Sequence, residues 1–181
     1  IHYCISLWNK GNSIMALTYE LIASTTAGGS SGTITFSSIP GTYTDLVLVT
    51  RHGYTSSTNY AIIRANGDGS TSNYGNTYIG GYGGTPSTGR NGALSGIYTS
   101  YGLQGNTTLN FMSTTYIYNY SNATTYKVAV TRNSLLSSGT EFIVGCRRTD
   151  TNAITSLDII GTSSSIFASG STFKLYGVKA A

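Results

Sequence analysis

Residues 33–51 read TITFSSIPGTYTDLVLVTR, and this stretch decides the fold class. Ile34 and Phe36 alternate with threonines, which is the pattern of a strand with one buried face. A Pro-Gly pair then makes a turn. The segment DLVLVTR at Asp45–Arg51 follows as a continuous apolar run, as expected of a strand that is covered on both faces. A strand, a turn and a second strand in close succession predict an antiparallel β-protein.

Similar short β patterns recur along the rest of the chain, separated by Gly, Ser and Asn. No apolar pattern keeps the helical period over three turns, so we expect little or no helix. About ten short strands predict an all-β fold, a single antiparallel β-sandwich of jelly-roll type. The predicted strands are Leu17–Ala23, Thr33–Ser37, Asp45–Arg51, Tyr60–Asn66, Thr107–Ser113, Tyr116–Tyr120, Tyr126–Arg132, Glu141–Arg148, Ile154–Ile160 and Thr172–Lys179.

The apolar members of these alternating patterns are the predicted core. Each is expected to point inward because its neighbours along the strand are more polar or lie on the opposite face. Cys146 continues the alternation of two of them, so it is interpreted as a small buried hydrophobe. The predicted core residues are Phe36, Leu48, Val128, Val130, Phe142, Val144, Phe173 and Leu175.

The chain of 181 residues is most simply one domain. We expect residues 15–181 to form the sandwich, because MALTYELIASTT, beginning at Met15, reads like a natural start. Residues 1–14 are interpreted as an N-terminal arm or an upstream extension, and a real arm would reach a neighbouring subunit. Cys4 and Cys146 are too few for a disulfide framework, and they pair only if the arm lies against the strand that holds Cys146.

A glycine-rich and tyrosine-rich segment occupies the middle of the domain. Residues 67–96 hold 10 of the 23 glycines, and Asp68 and Arg90 are the only charged residues between 65 and 126. This composition predicts a loop over about residues 67–105. A surface of this kind suits contact with other molecules better than catalysis, because proton transfer and metal activation need positioned ionisable groups.

The ionisable residues point to no catalytic or metal site. Charged residues make up 9% of the chain, against about 25% in soluble domains. His52 has only Asp45, at the far end of the same predicted strand, as a local carboxylate, so a catalytic triad is disfavoured. Asp68 lies in NGDGSTSN, which lacks the closing Glu of a calcium loop and is interpreted as a turn. The chain is therefore predicted to be no enzyme, with no catalytic residues, no metal ligands and no cofactor.

The positive charge is scattered rather than clustered. The net charge is +4, and Arg147 and Arg148 are the only adjacent cations. Nucleic-acid-binding proteins concentrate Lys and Arg on one face, so no nucleic-acid partner is expected. No apolar run approaches the ~18 residues of a membrane-spanning helix, so no membrane partner is expected either.

The 15 tyrosines are the best candidates for contact with partners. Tyrosine supplies a large apolar surface and keeps a polar hydroxyl for water, sugars or a protein. Tyr116, Tyr118 and Tyr120 alternate on one predicted strand, where core or subunit packing and a ligand face both stay open. The candidate contact or glycan-binding residues are Tyr74, Asn76, Tyr78, Tyr82, Tyr98 and Tyr101.

Three parts of the chain resemble one family. They are MALTYELIASTTAGGSSGTITFSSIPGTYTDLVLV from Met15, IIRANGDGSTSNY in the middle, and AITSLDIIGTSSSIFASGSTFKLYGVK near the end. The specific pieces are ITFSSIP at Ile34–Pro40, NGD at Asn66–Asp68 and GSTFKLYG at Gly170–Gly177. Together they are similar to small virion proteins of tailed bacteriophages, especially phages of cyanobacteria and other aquatic bacteria. The interior between Tyr74 and Tyr101 shows least similarity.

This resemblance implies a structural protein of the phage particle, either a capsid decoration protein or a fibre or tail component, with no catalytic residues. Its localisation would be the virion, and its partners would be itself, as a homotrimer, and other capsid or tail proteins. A surface with few charges favours self-association, because little ionic desolvation is needed. The alternative is a module on the particle that binds carbohydrate or a host receptor, including a host surface glycan. An enzyme or an unrelated adhesin is the third class.

Overall fold

The computed structural model describes residues 18–55, 59–101, 111–135 and 139–179. These ranges form two antiparallel sheets, and their only helical element is one 3-10 turn at Thr162–Ser164. The predicted all-β sandwich is therefore confirmed. Its strands are β1 (Tyr19–Thr26), β2 (Thr33–Phe36), β3 (Asp45–His52), β4 (Ala61–Ala65), β5 (Tyr74–Tyr82), β6 (Thr85–Leu94), β7 (Ile97–Tyr98), β8 (Phe111–Tyr118), β9 (Lys127–Leu135), β10 (Gly139–Arg147), β11 (Leu157–Gly161) and β12 (Thr172–Val178).

The two sheets differ in size. The large sheet has the order β1-β12-β3-β8-β9-β10-β5-β6, and the small sheet has the order β2-β11-β4-β7. Without the pairs β5–β6 and β9–β10, each sheet keeps four strands, and consecutive strands alternate between the sheets except at β4 and β7, which are neighbours in the small sheet. That alternation favours the predicted jelly-roll type, in which two Greek keys form a double sheet. The jelly-roll type remains our interpretation of the strand order.

The core lies between the small sheet and the strands of the large sheet that face it. Phe36 is 4% exposed, and Leu48, Phe173 and Leu175 are fully buried, so these four core predictions are confirmed. The apolar run in β3 is also covered on both faces as predicted: Val47, on the outer side, is only 3% exposed. Its partners across the neighbouring strands are two tyrosines, one on β8 and one on β12.

The other four core predictions were wrong. Val128, Phe142 and Val144 are about two-fifths exposed, and Val130 is only half-buried. Cys146 is likewise half-buried rather than buried. All of these side chains point outward, because β9 and β10 direct their other set of residues inward. That inward set is Lys127, Ala129, Thr131, Asn133, Leu135, Gly139, Glu141, Ile143, Gly145 and Arg147.

The predicted loop over residues 67–105 was also wrong where it covers β5, β6 and β7. β5 and β6 form a hairpin whose two-residue turn, Gly83 and Gly84, has φ angles of +58° and +80°. This is the type I′ turn that suits the twist of a hairpin. Tyr78 on β5 pairs with Gly89 on β6, and its ring occupies the space that a side chain at Gly89 would need. Glycine in these strands therefore makes room for tyrosine.

Two further predictions concern strand limits and the N-terminus. Two strands were predicted over 107–113 and 116–120. Within the described residues, the parts of them that lie between 111 and 118 belong to the single strand β8. Residues 1–14, with the predicted arm and Cys4, lie outside the described residues, as does the segment 102–110.

Candidate functional site

The outer face of the large sheet is the side turned away from the small sheet. Residues paired across neighbouring strands point to the same face, so the strand register defines rows of side chains that run across the sheet. Two adjacent rows are almost wholly apolar or aromatic, and we call them the apolar belt. The belt consists of Tyr19, Leu21, Val47, Tyr116, Tyr118, Val128, Val130, Val144, Cys146, Tyr176 and Val178.

Exposed apolar side chains are concentrated on this outer face. In the described ranges, ten large apolar side chains are at least about one-third exposed, and eight of them lie on this face. On the outer face, Leu21 and Ile79 are the most exposed of them, at 57% and 58%. Single exposed apolar residues are ordinary, but a contiguous set marks an interaction surface.

The tyrosines of the apolar belt also contact one another. The rings of Tyr116 and Tyr118 are nearly parallel, with their centroids 6.3 Å apart. The hydroxyl of Tyr116, close to that of Tyr19, raises the pKa of Tyr19. Because Tyr19 is on the edge strand β1 and Tyr116 on the central strand β8, these contacts span several strands of the outer face. The structure thus places Tyr116 and Tyr118 on an exposed surface, while Tyr120 is fully buried.

The opposite side of β8, β9 and β10 is unusually polar. Thr115 and Thr131 share a hydrogen bond of 2.9 Å. Asn133 donates its amide to the carbonyl of Thr99 at 2.7 Å and to the carboxylate of Glu141 at 3.2 Å. In a sheet with one solvated face, the apolar residues normally point inward and the polar residues outward. In this part of the large sheet the preference is weakened, because Asn133 and Glu141 point inward beside Ile117, Ala129 and Ile143 while valines point outward. Such a pattern is expected if another molecule covers the outer face.

A groove lies beside the apolar belt on the same outer face. Its volume is about 640 Å³, with Val49, Ile79, Met112 and Phe142 among its lining residues. Arg132 lies in the same row as Phe142, which is its cross-strand partner on β10. We call this depression the outer groove.

Buried charges near one end of β10 have a structural role. The guanidinium of Arg147 contacts the carboxylates of Asp150 at 2.6 Å and Asp68 at 3.3 Å, and Arg147 is 3% exposed. Burial opposes ionisation of Asp68, but hydrogen bonds from Asn73, Ser70 and Arg147 outweigh it and lower the pKa of this carboxyl. The turn in NGDGSTSN, which was predicted not to be a calcium loop, therefore holds Asp68 in an ion pair with Arg147.

Lys127 supports the neighbouring loops through its ammonium group. Its Nζ donates hydrogen bonds to the carbonyls of Asn122, Thr125 and Thr151 at 2.5–2.8 Å. Burial lowers the pKa of this group, although the side chain still finds three acceptors. An inward-facing lysine at this position therefore joins the loop after β8 to the loop after β10.

The predicted contact residues are in three different environments. Tyr74 is fully buried, and its hydroxyl accepts a hydrogen bond from the amide of Ala65 and donates one to the carbonyl of Asp68. Asn76 is 4% exposed. Both therefore pack inside the subunit. The side chain of Tyr82 lies outside the described part of the structure.

The remaining three predicted contact residues come together. The ring centroids of Tyr78 and Tyr101 are 4.2 Å apart, and those of Tyr98 and Tyr101 are 6.0 Å apart. Tyr60, which the sequence did not single out, continues the stack at 4.8 Å from Tyr98. Burial raises the pKa of Tyr98. We call these four residues the tyrosine stack; Tyr101, 36% exposed, is its most accessible predicted member.

His52 is a core residue. Its ring is 1% exposed and lies among aromatic side chains, with Phe111 closest at 4.7 Å between centroids. Its nitrogens contact the hydroxyls of Thr50 at 3.2 Å and Tyr54 at 3.4 Å. Burial lowers the pKa of His52 to about 3. The ring is therefore neutral at physiological pH, and its polar contacts with Thr50 and Tyr54 are made to hydroxyls rather than to a carboxylate.

Neither a metal site nor a membrane-spanning helix is found among the described residues. Within them, no group of three or more His, Cys, Asp or Glu side chains has an arrangement that could hold a metal ion. None of their helical segments has the length and hydropathy of a transmembrane helix.

The outer face escaped the sequence prediction for a definable reason. Alternation in β9 and β10 was visible, but it does not tell which of the two faces is buried. The available signal was the set of polar inward residues, such as Asn133 and Glu141. Their burial could not be predicted from the sequence, because they find partners only once distant strands are brought together.

Comparison with known proteins adds nothing to this description. No family model matches the chain, and neither does any curated protein or solved structure.

Proposed function

We propose that this chain is a structural protein of a tailed bacteriophage particle, a capsid decoration protein or a fibre or tail component, and that it acts by self-assembly. The observation that carries the proposal is the apolar belt. A subunit that worked alone in water would be expected to direct Val128, Val144 and their neighbours inward, whereas this chain exposes them on a continuous surface.

The size of the outer face supports this proposal. Strands lie about 4.8 Å apart and alternate residues about 6.8 Å apart along a strand, so the belt covers roughly 400 Å² and the whole face roughly 1,000 Å². A stable protein interface buries about 800 Å² on each partner. The outer face as a whole is therefore large enough to form one, and the belt is its most apolar part.

The low charge of the belt supports association with a second copy. Asp45 is the only ionisable carboxylate in its two rows, and this carboxylate accepts a hydrogen bond from the amide of Asn119 at 2.7 Å. Burial of the belt would therefore remove few ions from water, which is the main cost of burying charged surfaces. We propose a homotrimer, in which the belt of each subunit packs against a different surface of its neighbour.

The proposal is tested by measuring the mass of the purified chain in solution by light scattering and by mass spectrometry of purified phage particles. We expect a trimer that is also present in the particles. Val144→Lys places a charge in the middle of the belt and should shift the chain to a monomer. Thr33→Lys is the matched control, because Thr33 is an exposed strand residue on the small sheet. A monomeric wild-type chain that is absent from particles would refute the proposed function.

The tyrosine stack favours a second candidate function, a module that binds carbohydrate or a host receptor. Aromatic rings are common surfaces for sugars because they combine apolar faces with polar hydroxyl groups. Tyr101 is exposed and stacks with Tyr78, so two of the predicted contact residues form one surface. Saturation-transfer NMR with host surface glycans would detect such binding, and Tyr101→Ala should abolish it. An unchanged signal in this variant would exclude the stack as the site.

A further inference from the structure

The cations on the outer face are placed differently from those in the interior. Arg51, Arg132 and Lys174 all point outward and are exposed. They occupy the two rows next to the apolar belt, where the register pairs Arg51 with Met112 and Arg132 with Phe142. No ion pair is found for these three cations among the described residues.

The acidic residues of the chain are already engaged. The sequence holds six Asp and Glu side chains, all within the described ranges. Each accepts at least one hydrogen bond inside its own subunit. Glu20, Asp68 and Asp150 are ion-paired with Lys179 or Arg147, and Glu141 is 4% exposed. A second copy of this chain therefore offers at most Asp45 and Asp158 to the cations of the outer face.

We propose that the outer groove binds an acidic segment of a different protein. The groove volume of about 640 Å³ lies within the range of roughly 300–1,000 Å³ that is usual for ligand sites. Ile79, Met112 and Phe142 supply exposed apolar contacts, and Gly81, where an added Cβ would have no atom within 4 Å, leaves room above β5. Arg132 supplies a guanidinium, whose planar donors match a carboxylate.

The partner is thus a chain that carries carboxylates next to apolar side chains. Carboxylates would pair with Arg132, and apolar side chains would contact Met112 and Phe142. This inference rests on the proposed function, in which other proteins of the particle are the partners. It adds that the partner is acidic and that it binds beside the apolar belt rather than on it.

The test uses the full chain and a fluorescently labelled peptide of alternating Glu and Leu residues, with binding followed by anisotropy. A peptide in which Gln replaces Glu is the ligand control. Arg132→Gln is the test variant. Arg90→Gln is the matched protein control, because Arg90 is an exposed cation of the same face but lies on the edge strand β6, away from the outer groove.

We expect the Gln peptide, and separately Arg132→Gln, to weaken binding about tenfold or more, as for the loss of a charge-assisted hydrogen bond. Arg90→Gln should change the affinity little. Equal binding of both peptides, or wild-type affinity in Arg132→Gln, would overturn the inference. So would binding of a sulfated polysaccharide that depends on Arg132 while the peptide does not bind. Light scattering of the same samples separates the two proposals, because an assembled chain that ignores the peptide refutes this inference alone.

Discussion

Acid should destabilise this protein well before its carboxylates titrate, because His52 is buried in its neutral form. The ring is 1% exposed, and burial lowers its pKa from 6.5 to about 3. In the unfolded chain the imidazole is solvated and takes up a proton near pH 6.5. Between these two values the unfolded state binds more protons than the folded state, so stability falls as the pH falls.

The size of the effect follows from the distance between the two pKa values. Each pH unit below 6.5 removes about 1.4 kcal/mol until the folded-state pKa is reached, so the loss between pH 7 and pH 5 is about 2 kcal/mol. The carboxyl groups of Glu20, Asp68 and Asp150 also have lowered pKa values. The stability that these carboxyl groups contribute is lost only at lower pH, as the pH falls through the folded-state pKa of each group. His52 therefore dominates the pH dependence of stability above pH 5.

Urea denaturation followed by circular dichroism, at fixed protein concentration and a series of pH values, measures this loss. For a urea slope of about 2 kcal/mol per molar, the midpoint should fall by about 1 M between pH 7 and pH 5. His52→Gln should lower the stability at pH 7, because the packed ring is lost, but should flatten the pH dependence. An equally steep dependence in His52→Gln, or a flat wild-type profile, would refute the assignment of the acid sensitivity to His52.

Two further predictions test the packing of the large sheet, both by urea denaturation. Phe142→Ala should lower the free energy of unfolding by less than about 1 kcal/mol, because the side chain of Phe142 is 41% exposed. Phe173→Ala should lower it by about 3–5 kcal/mol, because Phe173 is buried in the core. Equal losses would show that the faces of β10 are wrongly assigned. Gly145→Ala should lower the free energy of unfolding by about 1–3 kcal/mol, since the new Cβ would overlap Ile97. Gly81→Ala is the control and should change stability little, because no atom lies within 4 Å of its new Cβ. A tolerated Gly145→Ala would mean that β7 does not pack on β10 as described.

The sequence was sufficient for the class of fold and for most strands. Ile34 and Phe36 alternate along β2, and both lie in the core because one face of that strand is buried. β3 was recognised from its unbroken apolar run, and its Leu46, Val47 and Leu48 are all buried. These patterns are local, so the sequence of a single strand and its turn is enough to predict the strand and its buried residues.

The hairpin of β5 and β6 was missed because composition was weighed above turn chemistry. Glycine is depleted in strands, and residues 67–96 are rich in it. A two-residue Gly-Gly connection, however, is a hairpin signal in its own right, and Gly83 and Gly84 adopt the positive φ angles that it requires. Gly89 makes room for the ring of Tyr78 but lies on the other strand of the hairpin. The sequence of either strand alone therefore does not reveal that the tyrosine packs over the glycine.

The faces of β9 and β10 could not be assigned from alternation, and the reason bears on function. Alternation predicts two faces, and the apolar one is normally taken as buried because a lone subunit gains most by burying it. Here Val144 is exposed while Glu141, in the same strand, is buried with Asn133 and the amide of Tyr101 as partners. Hydrogen bonds hold Asn133 and Glu141 inside one subunit, although the Oδ1 atom of Asn133 has no partner among the described residues. In the proposed assembly, the apolar side is buried against another molecule. The residues that misled the prediction of the core are therefore the same ones that support the proposed assembly.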